Sequence, residues 1–596
     1  MVNLNSLLVL SAFTLSSLAA AAVPAKPPAK KTSPISPLVR ALSLHDRIAQ
    51  MIVVRGYGDY PPSDNADYKR FLRWIREDRV GGFIVAGHIR NGNVIPAQPF
   101  EMAAFINHLQ HVARTPLLVG SDFERGASMR VADTAKFPYQ MAFGAARDLD
   151  ATKQLGAAAA REARALGVTW IFAPDADVNN NPDNPIINVR SFGEDPQAVA
   201  ANVGAFIDGA HSDRRNTVLV SAKHFPGHGD TAQDSHMLLA TVNQPRERIE
   251  SLELVPFRAA IAHGADSIMT AHLAVPSIEP QAIPATLSHK ILTDLLRDEL
   301  NFKGLIVTDA MDMQGVLSLF SSGEAAVRAV AAGADVLLMP IDPEPCIKAI
   351  QAAIASGRLS RQRIDTSVSR ILAAKQRLGL YRSRSVNLDS LTDGLDQKEL
   401  DRLAQRVADA SVTLVKDDKH LFPVPTPDGS CLVILGEGQF SQRGETLVRN
   451  LQRELPSVRT YAVNSSMSAD LANSIATDAA TCKQIYVAAF VTVEANRGSV
   501  ALEGALPAFM NALLRGTAPV ALISMGNPYL LRDFPAVSAY MATFSTTTSS
   551  EAAVAKAILG QIPISGKLPV SIPGFARVGD GLSVPARTAT ASNVTQ

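Results

Sequence analysis

The feature that most constrains the fold of this chain is a series of eight short apolar runs rich in β-branched residues. Segments with helical spacing of apolar residues, such as 151–166, 198–211 and 288–300, lie between the runs. The eight runs are residues 52–54, 83–85, 117–119, 170–172, 218–220, 267–269, 305–307 and 336–339. Eight repeats of strand and helix predict a (β/α)8 (TIM) barrel, in which parallel strands close on themselves and helices cover the outside.

Polar side chains stand where several of these predicted strands end. They are Asp122, Asp177, Lys223, His224, His272 and Asp309. Catalytic residues of a (β/α)8 barrel gather at the carboxyl ends of its strands. Loops in general concentrate polar residues, so the pattern indicates a site without specifying its chemistry.

A second unit follows the barrel. Strand-like runs at 412–415, 431–435, 485–490, 520–525 and 540–544 alternate with helical stretches such as 552–559, which predicts an α/β sandwich domain. We therefore expect six segments, which are a signal peptide (1–22), a Pro/Ala/Lys-rich linker (23–38), the barrel (39–382), a connector (383–410), the sandwich domain (411–576) and a tail (577–596).

Charge and composition restrict the class of partner. The chain has 57 basic and 56 acidic side chains, a formal net charge of +1. This balance gives no basic field of the kind that nucleic acids or anionic membranes attract, so we expect an uncharged partner such as a sugar. Three cysteines, Cys346, Cys431 and Cys482, are too few and too scattered to predict a disulfide framework or a cysteine-based metal site.

The amino terminus predicts export. Residues 7–18 are apolar, and the alanines of 19–22 suit cleavage by a signal peptidase. We found no other apolar run near the ~20 residues that span a bilayer. The expected location is the periplasm or the extracellular space, without a transmembrane segment in the mature chain.

The most informative stretch is the fourteen residues 223–236, KHFPGHGDTAQDSH, directly after the fifth predicted strand. Its glycines and proline end regular structure, so a shaped loop should project over the barrel mouth. Asp234 can orient the ring of His236 for proton transfer. Two alternatives remain open: an ordinary loop hydrogen bond, or a metal site built from the stretch's histidines and aspartates, against which the spacing and Lys223 argue.

Asp309 follows the seventh run within the sequence GLIVTDAMDM (304–313). A carboxylate at the end of a buried parallel strand points reproducibly into the barrel mouth, as a nucleophile must. Asp312, three residues further, is better explained as a loop or capping residue.

Taken together, these motifs resemble those of the β-N-acetylglucosaminidase (β-hexosaminidase) branch of glycoside hydrolase family 3, in its two-domain form. The loop 223–236 carries the resemblance. Supporting matches occur in chain order at DFERG (122–126), FAP (172–174), DVN (177–179), RSFG (190–193), MTAH (269–272), TDAM (308–311) and GKLPV (566–570).

The resemblance implies a role for each matching residue. Asp309 would be the nucleophile, His236 the proton donor and later the base, and Asp234 its orienting partner. Sugar contacts are implied for Asp122, Arg130, Arg190, Lys223 and His224, whose donors and acceptors suit hydroxyl and N-acetyl groups. Where many relatives have two glycines after the acidic pair, this chain has Arg125 and Gly126. No metal and no other cofactor is implied.

The implied reaction is a double displacement with retention of configuration at the anomeric carbon. Gly227 and Gly229 flank His228, so we expect the loop to move His236 in and out of the site. The substrate would be a terminal β-linked N-acetylglucosaminide from peptidoglycan or chitin-type fragments. A family 3 β-glucosidase or β-xylosidase, a phosphorylase and a non-catalytic scaffold that binds wall glycans remain alternatives, and the sequence leaves the oligomeric state open.

Overall fold

A computed structural model describes residues 36–587 except 91–92, 236, 396, 426–427, 439–440 and 494–496. The predicted signal peptide and almost all of the predicted linker lie outside the described residues. So do His236 and the last nine residues of the predicted tail.

Eight parallel strands form the barrel that the sequence predicts. They are β1 (Ile52–Gly56), β2 (Gly82–Val85), β3 (Leu118–Ser121), β4 (Trp170–Ile171), β5 (Leu219–Phe225), β6 (Ser267–Thr270), β7 (Leu305–Val307) and β8 (Leu337–Leu338). From β1 to β7 each strand pairs with the next along the chain, and β1 pairs with β8 in the register Ile52↔Leu337. A parallel bridge between Val307 and Val336 brings β7 to the start of β8, so the sheet closes.

Helices cover the outside of the barrel because each presents one apolar face to the strands. The helix Leu149–Leu166 begins at Asp148, whose side chain accepts a hydrogen bond from the Ala151 N–H, and it ends at Gly167 in the left-handed conformation. The other helices of this domain are Pro37–Arg40, Leu44–Gln50, Ala66–Arg76, Pro99–Val112, Gln140–Ala146, Pro196–Ala210, Arg246–Ser251, Leu254–Ala262, the π-helix Lys290–Glu299, Gln314–Leu317, Ser322–Ala332, Pro343–Ala355 and Arg361–Arg377.

The second domain is a six-stranded sheet between two helical layers. Its strands are β9 (Thr413–Asp417), β10 (Ser430–Gly436), β11 (Arg459–Asn464), β12 (Gln484–Val491), β13 (Val520–Gly526) and β14 (Ala539–Ala542), in the order β9-β14-β13-β12-β10-β11. Only the pairing of β9 with β14 is antiparallel among these strands. Its helices are Glu445–Glu454, Ala469–Ala479, Leu506–Leu514 and Thr548–Leu559, and the connector contains Leu391–Gly394 and Gln397–Ser411. Separate apolar clusters on the two faces of the sheet make it the predicted α/β sandwich.

Two features of this domain differ from the sequence-based expectation. Strand β11 was not predicted, because it lies at the sheet edge, is only partly buried and has few apolar residues. Cys431 and Cys482 form a disulfide with a Cα–Cα distance of 6.0 Å, although the cysteine spacing predicted none. The pairing of β10 with β12 brings these two cysteines together.

The residues that follow position 576 continue along the second domain. Leu582 bridges Leu414 in β9, and Val584 bridges Ile564. Within the part of the chain that the structure describes, no helix has both the length and the apolar character needed to cross a bilayer.

Candidate active site

The polar residues that the sequence singles out at strand ends meet at the carboxyl end of the barrel. Asp122 directly follows β3, Lys223 and His224 are among the last three residues of β5, and Asp309 is the second residue after β7. Because the strands are parallel and the sheet is closed, these positions share one rim. The barrel therefore has one polar mouth where the sequence predicts a site.

Asp122 is held between two cations. Its carboxylate accepts hydrogen bonds from Lys223 Nζ at 2.9 Å and from Arg130 Nη2 at 2.8 Å. Burial raises the pKa of Asp122, but the charges of Lys223 and Arg130 outweigh it, and the pKa lies well below its usual range. Asp122 is therefore an ionised acceptor with fixed geometry, and Arg130, which the departure at Arg125 could have displaced, reaches it.

Glu124 joins this pair to Arg190. The Arg190 guanidinium donates to both carboxylate oxygens of Glu124, at 2.7 and 3.1 Å, and Lys223 Nζ lies 2.8 Å from the same carboxylate. Burial lowers the pKa of Lys223, but the charges of Asp122 and Glu124 outweigh it. The pKa therefore lies above its usual value, and the ammonium stays charged. Glu124 lies within the motif at 122–126 but was not among the residues predicted for the site.

His224 is neutral and fixed by Asp177. Its Nδ1 lies 2.8 Å from Asp177 Oδ2, and its Nε2 lies 3.4 Å from Arg190 Nη2. Burial lowers the pKa of His224 to about 4, and the charge of Arg190 lowers it too. A neutral ring whose Nδ1–H donates to Asp177 leaves Nε2 as an acceptor beside Arg190.

Asp175, Asp177 and His224 bring one donor atom each within 4.8 Å of one another, a spacing that a metal ion could use. The Arg190 guanidinium, however, lies 3.6 Å from Asp175 Oδ2. His224 Nδ1 is already hydrogen-bonded to Asp177. Burial raises the pKa of both Asp175 and Asp177, and the arginine already places a positive charge against them, so we assign no metal to this cluster.

Burial lowers the pKa of His224 and His228, and the negative charge of Asp309 partly opposes this, so Asp309 lies within electrostatic range of both rings. Its Oδ1 accepts a hydrogen bond from the Ala310 N–H at 2.7 Å, which orients the carboxylate. Ala310 is held in turn by His272, whose Nε2 lies 2.9 Å from the Ala310 carbonyl. The segment that carries Asp309 is therefore rigidly placed.

Asp312 has a different environment, as expected for a loop residue. Its carboxylate forms an ion pair with Arg55 Nη2 at 2.7 Å. This pair joins the end of β1 to the segment after β7, which is a structural role.

The loop after β5 runs from Pro226 to Asp234 as a compact, hydrogen-bonded unit. Asp234 is 3% exposed. A Cβ on Gly229 would lie 1.7 Å from the Val178 carbonyl oxygen, and one on Gly227 would lie 2.7 Å from Glu253 Cβ. The missing side chains allow close packing at these glycines, and the movement of His236 by the loop stays a prediction. His236 itself lies outside the described residues.

The second domain contacts the rim of the barrel beside this site. Asn179, two residues after Asp177, donates from Nδ2 to the Tyr529 hydroxyl at 2.8 Å. Asn188 Nδ2 lies 3.2 Å from Asn527 Oδ1. The loop that carries Asp177 is therefore supported from outside the barrel.

Replacing Tyr529 with Phe is expected to weaken this support. The change removes the acceptor of the buried Asn179 amide, at a cost of about 1–3 kcal/mol. We expect a lower melting temperature and a raised KM, with kcat changed less, on an aryl N-acetylglucosaminide. Unchanged melting and kinetics would contradict a supporting role of Tyr529.

Glu162 supports the loop between Asp122 and Arg130 from below. This residue of the helix Leu149–Leu166 is 1% exposed, and its Oε2 accepts a hydrogen bond from the Ala127 N–H at 2.8 Å. A Cβ on Gly126 would lie 2.9 Å from the same oxygen. Burial raises the pKa of Glu162 to about 7.

The Glu162→Gln variant tests this burial. Because the folded pKa exceeds the unfolded value of 4.5, the wild type loses stability as pH rises from about 4.5 to 7. Glutamine keeps the acceptor for Ala127 and carries no charge, so the variant should gain about 2 kcal/mol relative to the wild type between pH 5 and pH 8. Urea unfolding followed by tryptophan fluorescence reports on the barrel, because Trp74 and Trp170 both lie there. A difference that does not change with pH would contradict the shifted pKa.

The sequence is similar to those of known glycosidases over most of its length. Residues 43–374 match the family model described as the glycosyl hydrolase family 3 N terminal domain. A β-N-acetylglucosaminidase/β-glucosidase of Cellulomonas fimi is 29% identical over 489 residues, which cover 79% of this chain and 86% of that protein. A β-hexosaminidase A of Pseudoalteromonas piscicida is 30% identical over 561 residues, covering 83% and 90%.

A solved structure also resembles the whole described chain. The glycoside hydrolase family 3 β-N-acetylglucosaminidase from Paenibacillus sp. str. FPU-7 superposes with a TM-score of 0.79 at 33% identity. The match covers 90% of this chain and 100% of that one. The similarity therefore extends over both domains.

Proposed function

The chain belongs to glycosyl hydrolase family 3, and from this premise we propose that it is a retaining β-N-acetylhexosaminidase that removes terminal β-linked N-acetylglucosamine. Family membership and the β-hexosaminidase relatives make the protein a glycosidase. The observation that carries the finer proposal is the joint position of Asp309 and the row of charged residues at one barrel mouth. Asp309 is oriented there by the Ala310 N–H, and it follows a barrel strand at the same rim as Asp122, Lys223, Arg190 and His224.

In the first step an oxygen of Asp309 attacks the anomeric carbon. The bond between that carbon and the leaving oxygen breaks, and His236 gives its proton to the oxygen. In the second step His236 takes a proton from water, the water oxygen bonds to the anomeric carbon, and Asp309 leaves as a carboxylate. Two inversions give retention, and Asp234 keeps the His236 ring oriented in both steps.

The charged row suits recognition of the sugar. The Asp122 carboxylate can accept hydrogen bonds from two ring hydroxyls, while Arg130, Arg190 and Lys223 can donate to hydroxyl oxygens or to the N-acetyl carbonyl. His224, neutral and fixed by Asp177, can accept a hydrogen bond from a sugar hydroxyl at Nε2. These pairs form before substrate arrives, so binding costs little reorganisation.

We propose that the substrate is a cell-wall or chitin-type fragment and that the protein acts outside the cytoplasm. The support is the predicted leader at 1–22 together with the formal net charge of only +1, which favours an uncharged partner such as a sugar. Activity in a culture supernatant or periplasmic extract, absent when residues 1–22 are deleted, is the expected result.

The experiment that tests the nucleophile uses a 5-fluoro N-acetylglucosaminyl trap. We expect intact mass to increase by one glycosyl unit and peptide mapping to place it on Asp309. The Asp309→Ala variant should take up no label. A label on any other residue would overturn the assignment.

One relative favours a second candidate activity. The Cellulomonas fimi protein is named as both a β-N-acetylglucosaminidase and a β-glucosidase, so glucosides could also be substrates here. Release from an aryl N-acetylglucosaminide but not from the matching glucoside or xyloside is the expected result. Binding of the sugar without any release would instead support the scaffold alternative.

A neutral histidine base repels an anion less than a carboxylate does, so phosphate could replace water as the acceptor. We expect free N-acetylglucosamine to be the product in phosphate and in non-phosphate buffer alike. A glycosyl phosphate formed only in phosphate buffer would make the protein a phosphorylase.

A further inference from the structure

His228 is a buried histidine to which the proposed reaction gives no task. It is 2% exposed, and both of its ring nitrogens contact hydroxyl groups of its own loop. Nδ1 lies 2.9 Å from Thr231 Oγ1, and Nε2 lies 2.8 Å from Ser235 Oγ. The ring therefore joins the beginning of the loop to a residue near its end.

The backbone at the beginning of the loop is held by hydrogen bonds to neighbouring segments. The His228 N–H donates to Asp177 Oδ1 at 2.6 Å, and Asn184 Nδ2 donates to the carbonyls of His228 and Gly229 at 2.9 and 3.1 Å. The backbone of Gly229 is in tight contact with Val178. His228 is thus a fixed point that is tied to the same carboxylate as His224.

The other end of the contact reaches the proposed catalytic residues. Ser235 stands between Asp234 and His236 in sequence and is 2% exposed. Its carbonyl oxygen would lie 3.0 Å from a Cβ on Gly315, which belongs to the short helix that follows Asp309. Ser235 is therefore enclosed between His228 and the segment of the proposed nucleophile.

The ring is suited to this contact because it is neutral. Burial lowers the pKa of His228 to about 4. A neutral imidazole has one donor and one acceptor nitrogen, and a hydroxyl can serve as the partner of either. Both contacts can therefore persist at neutral pH.

We infer that His228 is a positioning residue, which acts through its Nε2 contact with Ser235 to hold the segment of Asp234 and thereby supports the proton transfer proposed for His236. This inference rests on the proposed function.

Three variants separate the two ring contacts. The side-chain amide of His228→Gln can stand near the position of Nε2 and keep the contact with Ser235, whereas that of His228→Asn stands near Nδ1 and keeps only Thr231. Ser235→Ala removes the contact from the other side by deleting a single oxygen, so it carries the test even if a His228 variant fails to fold. Thr231→Ala is the matched control for the Nδ1 contact.

The readout is kcat/KM on two β-N-acetylglucosaminides, one with a phenyl and one with a 2,4-dinitrophenyl leaving group. Phenoxide needs a proton to depart and dinitrophenolate does not, so misplacing the proton donor slows only the first. We expect Ser235→Ala and His228→Asn to lose roughly tenfold or more on the phenyl glycoside and little on the other. His228→Gln and Thr231→Ala should lose less, and the double variant His228→Asn/Ser235→Ala should lose no more than either single one.

Full activity of Ser235→Ala on the phenyl glycoside would overturn the inference. So would equal losses on both glycosides, which indicate a general packing defect, or additive losses in the double variant. Each of these results leaves the proposed function intact. A wild type that cleaves neither glycoside refutes the proposed function and the inference with it.

Discussion

The Asp309→Ala variant is expected to hydrolyse an aryl N-acetylglucosaminide roughly 10⁴-fold more slowly than the wild type. Without the carboxylate no glycosyl intermediate can form, and the charge that stabilises the developing oxocarbenium ion is lost. The measurement is kcat with the dinitrophenyl glycoside, so that proton donation does not limit the rate. Added azide should partly restore turnover and yield an α-glycosyl azide, because a small anion can enter the vacated space and displace the aglycone once.

Asp312→Ala is the matched control for this prediction. The two aspartates are three residues apart, but Asp312 forms an ion pair with Arg55. We expect its loss to change the rate by much less, since an ion pair of this exposure contributes little free energy. A rate loss at Asp312 as large as that at Asp309, or a β-configured azide product, would exclude Asp309 as the nucleophile.

The Lys375→Met variant should be markedly more stable than the wild type at mildly acidic pH. Lys375 lies fully buried in the helix Arg361–Arg377, and its Nζ donates to Gln50 Oε1 at 2.7 Å. Burial lowers its pKa from 10.5 to about 7. Between these values the unfolded chain binds a proton that the folded chain does not, so wild-type stability falls as pH decreases from about 10.5 to 7.

Methionine fills a similar volume without a titratable group. The stability of the variant relative to the wild type should therefore increase by about 3 kcal/mol when the pH is lowered from 9 to 6. Loss of the hydrogen bond to Gln50 subtracts the same amount at both pH values. Urea unfolding followed by tryptophan fluorescence measures this change, with Lys303→Met, at an exposed lysine, as the surface control. A difference that stays constant with pH would show that Lys375 is charged in the folded protein.

Several features of the site were predictable from the sequence because they depend on local order along the chain. Strand β7 could be recognised as a short apolar run, and Asp309 is the second residue after it. The same holds for Lys223 and His224 at the end of β5. In a closed parallel barrel, the end of a strand specifies the rim on which a residue lies.

Other features depend on which distant segments become neighbours. Glu124 and Asp177 lie within motifs that are visible in the sequence. Their contacts with Arg190 and His224 form only because β3, β4 and β5 lie side by side. The close packing of Gly229 against Val178 has the same origin. Glycine in a sequence permits a hinge and a close approach equally, and only the neighbouring backbone decides between them.

The sequence by itself determined the two-domain architecture, the eight barrel strands and the position of Asp309, since periodicity and strand ends are encoded within short segments. The tertiary structure alone decided the Cys431–Cys482 disulfide, the edge strand β11 and the lowered pKa of buried Lys375. Each of these depends on contacts between segments far apart in the chain, or on the exclusion of water by them. Burial and pairing are properties of the packed molecule, so no local pattern of residues could have specified them.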